Sequence, residues 1–330
     1  MDRVLVTGGA GFIGSHIVHN LLAQGASQVT IFDNLSTGFR ALVPDDPRVT
    51  LVQGDLLDQA LLARAMKGQE FVFHMAANAD IKDNLASPRK CVDQNIVATQ
   101  NVLEAMRQNG VECIAFASTG SVYGESETIP TPEDAPMPIQ TSIYATSKVA
   151  AEGLLTSYAL GFGFRSWIFR FVSILGRSYS HGHVIDFHKK LRDDPTRLEV
   201  LGDGHQKKSY LHVQDCVNGI LLAIDRQPPE ERIAIYNLGH EDWIEVNDSV
   251  RIICRELGVS PRIEHAGGIR GWVGDSPKIL LATDRIRSLG WAPAFSIEAS
   301  LIETIRSLEA NPFLSRRPPP SPSVANRRAG

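Results

Sequence analysis

Tyr144 and Lys148 stand four residues apart in a run, Ser142 to Leu160, that reads as a helix, so both side chains lie on one face. A phenol with its ordinary pKa of about 10 is a poor base at neutral pH, and an ammonium one helical turn away favours the phenolate. Such a pair suits proton transfer at a hydroxyl. Thr119 closes the strand-like run that begins at Cys113 and leads into Ser121, Val122, Tyr123 and Gly124. Its hydroxyl can donate or accept a hydrogen bond at the same substrate oxygen and hold it for hydride transfer. These groups need a hydride carrier beside the reacting carbon, and the rest of the chain must position one.

The first fourteen residues do so. Val4, Leu5 and Val6 read as a short buried strand running into the turn Thr7–Gly14, and Ser15 to Gly25 reads as the helix that follows. This is the opening of a dinucleotide-binding βαβ unit. Gly8 suits the tight turn, Gly11 lets backbone approach a pyrophosphate, and Gly14 lets the helix pack close to the strand. Amides at the helix start then receive the phosphates. Val29 to Asp33 is a second buried strand ending in an acid, nineteen residues after Gly14. A carboxylate there accepts hydrogen bonds from the adenosine ribose and repels a 2′-phosphate, so NAD is expected over NADP.

Asn34 to Gly38 is a polar loop that can continue around the ribose. The third strand, Val49 to Asp55, ends in an acid that can meet the adenine amine, cap a helix beginning near Leu56, or do both. Phe71 to Ala77 is the fourth strand, with His74 packed inside it and small residues at its end where a flat cofactor can lie. A helix from Lys90 to Asn109 carries Asn95, which either ties backbone near the nicotinamide end or lies on the surface. Cys113 to Ser118 and Phe164 to Phe171 complete a rhythm of six parallel strands with intervening helices. After Val172 the pattern loosens, and Ala234 to Gly239 reads as a core strand returning to the first unit. The expected fold is therefore α/β: a Rossmann-type doubly wound parallel sheet over residues 1–172, joined again by segments near 213–240. A smaller, interwoven α/β substrate domain is expected over residues 173–310, and a disordered Pro- and Arg-rich tail over 311–330.

The 330 residues carry a formal net charge of -4 and a pI near 6.2, with basic residues scattered, which argues against a nucleic-acid partner. A core strand begins within four residues of Met1, and no apolar run reaches membrane-spanning length, so a cytoplasmic location is the expectation. Cys91, Cys113, Cys216 and Cys254 lie far apart, a spacing that suggests neither a metal cluster nor a redox pair.

Taken in order, TGGAGFIG at 7–14, DNLSTG at 33–38, GD at 54–55, HMAA at 74–77, STGSVYG at 118–124, YATSK at 144–148 and LGW at 289–291 resemble one family. It is the extended short-chain dehydrogenase/reductase family, and within it the sugar-nucleotide branch of the UDP-glucose 4-epimerases, over residues 1 to about 310. The resemblance implies catalysis by Tyr144, Lys148 and Thr119. It implies a tightly held NAD touched by Gly8, Gly11, Phe12, Ile13, Gly14, Asp33, Asn34, Ser36, Thr37, Gly38, Asp55, Leu56, Ala76, Ala77, Ala79, Asn95, Ser118, Tyr144, Lys148 and Phe171. It implies substrate contacts from Asp80, Lys82, Thr119, Gly120, Ser121, Tyr144, Ser173, His183, Val184, Lys208, Arg270 and Asp275. The implied reaction inverts C4 of a nucleotide-linked hexose, UDP-glucose or UDP-galactose first, through a transient 4-keto sugar and without a metal. A homodimer through the helices near Lys90–Asn109 and Ser142–Leu160 is implied as well.

Departures from the family pattern narrow the reaction and widen the substrate. Relatives that dehydrate or decarboxylate a sugar nucleotide carry an acid just before the VYG segment, where this chain has Gly120 and Ser121. Reductase-epimerases need a cysteine and histidine pair, and no cysteine stands in the corresponding stretch. His181 and His183 are open to a role at the substrate or to a place in a polar loop. Lys208 replaces an arginine, which weakens a bidentate phosphate clamp. Ser173 replaces an asparagine, and Asp80, Lys82 and Asn84 make their loop more polar than usual. A uronic acid, an acetamido sugar or a nucleotide other than UDP stays open.

Overall fold

Strands that are apolar on both sides must be covered on both sides, and the chain supplies a helix after nearly every one. The computed structural model describes residues 1–79, 86–137, 139–271, 276 and 278–315. Asp80, Lys82, Asn84, Asp275 and residues 316–330 of the expected tail lie outside the described residues. In chain order the first half gives β1 (Arg3–Thr7), α1 (Phe12–Ala23), β2 (Gln28–Asp33), β3 (Val49–Gln53), α2 (Gln59–Met66) and β4 (Phe71–His74). A helical turn at Pro88–Cys91 and a π-helical turn at Val92–Val97 then run into α3 (Ala98–Asn109), followed by β5 (Cys113–Thr119), α4 (Ile143–Phe162) and β6 (Arg165–Phe171).

The second half gives β7 (Ser173–Leu175), α5 (His183–Asp193), β8 (Arg197–Val200), β9 (Lys207–Lys208), β10 (Tyr210–His212), α6 (Val213–Arg226) and β11 (Ile233–Leu238). It ends with β12 (Ile244–Glu245), α7 (Val246–Leu257), β13 (Arg262–His265), β14 (Lys278–Ile279), α8 (Asp284–Ser288) and α9 (Ile297–Ala310). The main sheet has seven strands in the order β11-β6-β5-β4-β1-β2-β3, every neighbouring pair parallel. The strand order reverses between β1 and β4, so the crevice beyond their carboxyl ends is where an open α/β sheet binds its ligand. Smaller sheets, β7 with β10, β9 between β12 and β14, and β8 with β13, make up the rest.

Successive residues of a strand face opposite sides, and the core divides accordingly. Val4 and Val6 point to one apolar cluster with Ile17, Val18 and Leu21 of α1, while Leu5 joins Leu62, Val102, Leu103 and Leu155 on the other face. His74 is buried as a strand histidine at the end of β4. The Thr99 hydroxyl donates to the Asn95 carbonyl at 2.6 Å, so the His74 Nε2–H donates to Thr99 Oγ1 at 2.9 Å. Nδ1 then accepts from the Thr7 hydroxyl at 2.7 Å and ties β4 to β1.

The strand expected to return to the first unit does so as β11, which pairs in register with β6 along its whole length, from Ile233↔Ser166 to Leu238↔Phe171, and makes the seventh strand of the sheet. Two sequence expectations shift. The first helix begins at Phe12 and not Ser15, since Gly11 in extended conformation caps it and the glycine motif itself forms its first turn. The expected helix from Lys90 starts at Pro88 and widens into the π turn.

Candidate active site

At the mouth of β1 the glycines are fixed by space. Gly8 has φ +68°, and a Cβ on it would lie 2.7 Å from the Ala76 amide nitrogen at the end of β4. A Cβ on Gly14 would lie 2.2 Å from the Gly8 carbonyl oxygen, so only a bare Cα lets α1 come this close. The result is a shallow backbone cradle at a helix N-terminus, the shape and polarity a pyrophosphate needs. Asp33, buried at the end of β2, accepts from the Ala10 amide at 3.0 Å and the Leu35 amide at 2.8 Å. Burial pushes this carboxyl above its ordinary value while the two amides pull it back. Each oxygen keeps a further lone pair for a ribose hydroxyl.

Asp55 does not cap α2. Its Oδ1 accepts from the Leu57 amide at 3.0 Å in a local turn, and Asp58 is the residue that caps the helix through the Leu61 amide at 2.9 Å. The reason is distance along the chain: three residues separate Asp55 from the first helical amides. The Asn34 amide group donates to Asp55 at 3.0 Å, and the Gln94 amide group donates to both its oxygens at 3.1 Å. Gln94 is a residue that sequence reasoning missed; the π turn that brings it beside Asp55 has no periodic signature.

The same π turn aims Asn95 inward. It accepts from the Asn78 amide at 2.7 Å and donates to the Asn78 carbonyl at 3.1 Å, pinning the loop after β4. It also donates to Ser147 Oγ at 2.9 Å, and Ser147 in turn donates to the Tyr144 carbonyl at 2.7 Å. Of the two expectations for Asn95 the backbone tie holds, and π turns recur at such junctions.

Tyr144 and Lys148 sit in the first two turns of α4, whose N-cap Ser142 accepts from the Ala145 amide. Thr119 lies near enough to Tyr144 to favour its ionised form slightly, and Thr119 Oγ1 donates to Ser121 Oγ at 3.2 Å. Lys148, only 2 % exposed, donates to the Ala117 carbonyl at 2.7 Å and lies 4.5 Å above the Phe116 ring and 6.0 Å from the Tyr144 ring centre. Here the structure departs from the expected balance of charge. Burial lifts the Tyr144 phenol well above its ordinary value and draws Lys148 down to about 7, because neither charged form is favoured away from water.

On the substrate side Ser173 is exposed at the start of β7, opposite Tyr210 of β10. The Tyr210 ring stacks on His183 at 5.1 Å, and Lys208 is close enough to join burial in lowering His183 to about 4. Val184 is fully buried in the core in the first turn of α5. The Lys208 ammonium is bonded to the Ser276 carbonyl, and Arg270 is paired with Glu125, immediately after the VYG segment. Ser276 Oγ meets the Gly124 carbonyl at 3.4 Å, so Lys208, Ser276, Glu125 and Arg270 form one cluster beside the VYG segment. His181 stacks on Tyr179 at 6.3 Å and is exposed. Among the described residues no group of three or more His, Cys, Asp or Glu is arranged to hold a metal, and no helix is long and apolar enough to cross a membrane.

The fold is a Rossmann-type parallel sheet with a glycine cradle at the mouth of β1, and comparison with known proteins gives its family. Residues 4–239 match the NAD dependent epimerase/dehydratase family, and the chain belongs to that family. It is similar to the UDP-glucose 4-epimerase of Corynebacterium glutamicum, 31% identical over 320 residues that cover 91% of this chain and 94% of the relative. Among solved structures it is similar to the Thermus thermophilus UDP-glucose 4-epimerase in complex with NAD, with 31% identity, a TM-score of 0.83, and 94% and 99% of the two chains covered. It is also similar to the Streptomyces venezuelae dTDP-glucose 4,6-dehydratase with NAD bound, with 29% identity, a TM-score of 0.85, and 94% and 98% covered. NAD is the cofactor, and the activity is of the epimerase/dehydratase class on a nucleotide sugar.

Proposed function

We propose that this protein is a 4-epimerase of a nucleotide-linked hexose, with UDP-glucose and UDP-galactose as the first substrates to consider. Relatives of both the epimerase and the dehydratase kind match at similar identity, so the local chemistry decides. The observation that carries the reading is the hydroxyl-only setting of Thr119: its hydrogen bonds run to Ser121, Tyr144 lies beside it, and Gly120 stands between Thr119 and Ser121. Loss of water from a neighbouring carbon needs a further acid poised at the sugar, and the two positions before Val122 carry none.

In this reading bound NAD⁺ supplies hydride acceptance and return and brings a positive nicotinamide ring. Tyr144 removes the C4 hydroxyl proton once positive charge from Lys148 and the ring favours its phenolate. Thr119 holds the C4 oxygen in line through both half-reactions. The 4-keto sugar then turns about its pyrophosphate link and presents its other face, and Tyr144 returns the proton. Lys208 and Arg270 are the groups assigned to the diphosphate, with Ser173 and His183 beside the sugar. Asp33, Asp55 and the glycine cradle hold the adenosine half of the cofactor. The small sheets and α5, within residues 173–310, serve as the substrate-binding part. Exposed Leu160 and Phe162 at the end of α4, 77% and 54% exposed, support a homodimer contact on the α3–α4 side.

The test is to incubate purified protein, without added cofactor, with UDP-galactose, UDP-glucuronate and UDP-N-acetylglucosamine and to separate the products. The C4 epimer of at least one is the expected product. A product lighter by water, or no turnover of any of the three, overturns the reading.

A further inference from the structure

Glu152 is buried one helical turn beyond Lys148, so Tyr144, Lys148 and Glu152 follow one another along a single face of α4. A buried carboxylate is costly to hold unless it is paired and hydrogen-bonded, and this one is fully engaged. Its Oε1 accepts from Ser118 Oγ at 2.5 Å and from Arg170 Nε at 3.1 Å, while Oε2 accepts from Arg170 Nη2 at 2.7 Å. Both members of the ion pair are almost wholly out of water, at 1% and 6% side-chain exposure. Arg170 is held in turn: its Nη1 donates to the Tyr123 hydroxyl at 2.8 Å and to the Glu133 carbonyl at 2.9 Å, and the guanidinium lies 4.8 Å over the Tyr123 ring. The Tyr123 hydroxyl donates to Asn237 Oδ1 at 2.8 Å, and the Asn237 amide group donates to the Thr131 and Ala282 carbonyls.

The location of this network is informative. Ser118 immediately precedes Thr119 at the end of β5, and Arg170 immediately precedes Phe171 at the end of β6. Two oxygens of one side chain thus tie the helix that carries Tyr144 and Lys148 to the two strand ends that face it. We propose that Glu152 is a positioning residue of the proton-transfer site, locking α4 to β5 and β6 so that Tyr144 meets Thr119 in one geometry and Lys148 keeps its charge. The inference rests on the assignment of Tyr144 as the base. The charge part follows from the groups that face Lys148: Tyr144 and Glu152 on its own helix, Cys91 from the helical turn before the π turn, and His74 from β4. Arg170 stands behind Glu152. Of these, Glu152 and Cys91 raise the affinity of Lys148 for its proton, while burial opposes them. Removing the carboxylate charge leaves Arg170 uncompensated, and the ammonium then loses its proton at a lower pH.

The test uses the NAD-loaded enzyme with whichever sugar nucleotide it turns over. In Glu152→Gln, kcat should fall about 10- to 100-fold, the loss expected when reacting groups are displaced by about an ångström, with KM within about threefold of wild type. The alkaline limb of kcat should move to lower pH. Ser118→Ala, which keeps the ion pair and removes only its link to β5, should lower kcat by about fivefold and leave that limb in place. A Glu152→Gln enzyme with wild-type kcat and pH profile, in a preparation where Tyr144→Phe is inactive, overturns the proposal. An active Tyr144→Phe instead overturns the base assignment on which it rests. Should Glu152→Gln fail to fold, Ser118→Ala decides: a wild-type kcat overturns the proposal and the fivefold loss supports it.

Discussion

Tyr144→Phe is expected to lower kcat by about 10³-fold while the purified protein keeps its NAD, because the change removes one hydroxyl and leaves the cradle and the helix intact. The phenol is held by Thr119 and by the fold of α4 around it, and neither depends on the hydroxyl for its own position. Burial raises the phenol's proton affinity, so its ionisation is the step most exposed to the surrounding charge. Lys148, drawn down to about 7, shares that sensitivity. The check is steady-state turnover beside the absorbance of cofactor released on denaturing the protein. A variant that turns over within tenfold of wild type contradicts the assignment, and one that has lost its NAD shows that the hydroxyl serves binding.

The second large effect is expected at Gly14. A Cβ there would stand 2.2 Å from the Gly8 carbonyl oxygen and 2.9 Å from the Gly9 Cα, both backbone atoms that cannot rotate aside. Gly14→Ala must therefore push α1 away from the β1 turn, at a cost of about 1–3 kcal/mol for overpacking. The displaced amides belong to the cradle assigned to the pyrophosphate, so the variant should purify with little NAD and with a Tm lowered by several degrees. Gly153→Ala is the matched control. Its Cβ meets nothing within 4 Å in the middle of α4. It should keep its NAD and gain up to about 1 kcal/mol in stability from helix propensity. Full NAD content in Gly14→Ala would show that the loop tolerates a side chain and that the close packing is incidental.

What could be read from the sequence is what short-range spacing carries. The β1 turn, the acid ending β2 and the four-residue step from Tyr144 to Lys148 each depend on neighbours within one turn or one strand. What could not be read depends on pairing between distant segments. Gln94 reaches Asp55 only because a π turn adds a residue to an otherwise helical pattern. Glu125 and Arg270 are 145 residues apart in sequence and meet only when the loop after β5 lies against the segment after β13. β11 was legible as a core strand returning to the first unit, but its place beside β6 is a choice no local pattern specifies. Glu152 was missed: it lies two turns from Tyr144 on the same face, but what marks it is its partners Ser118 and Arg170, which come from two strands. The expected help from Lys148 to the Tyr144 phenolate rested on charge alone; burial, which a sequence does not display, opposes both charges.

The central claim is that one hydrogen leaves C4 of the sugar and returns to the same carbon within a single enzyme-bound cycle. It is tested most directly with a sugar nucleotide carrying deuterium at C4, incubated with the purified protein and no added cofactor, the epimer being isolated and examined by NMR. The account predicts an epimer that keeps its deuterium at C4, with none passed to solvent. An epimer that has lost the label, or a labelled substrate converted to a product lighter by water, contradicts it.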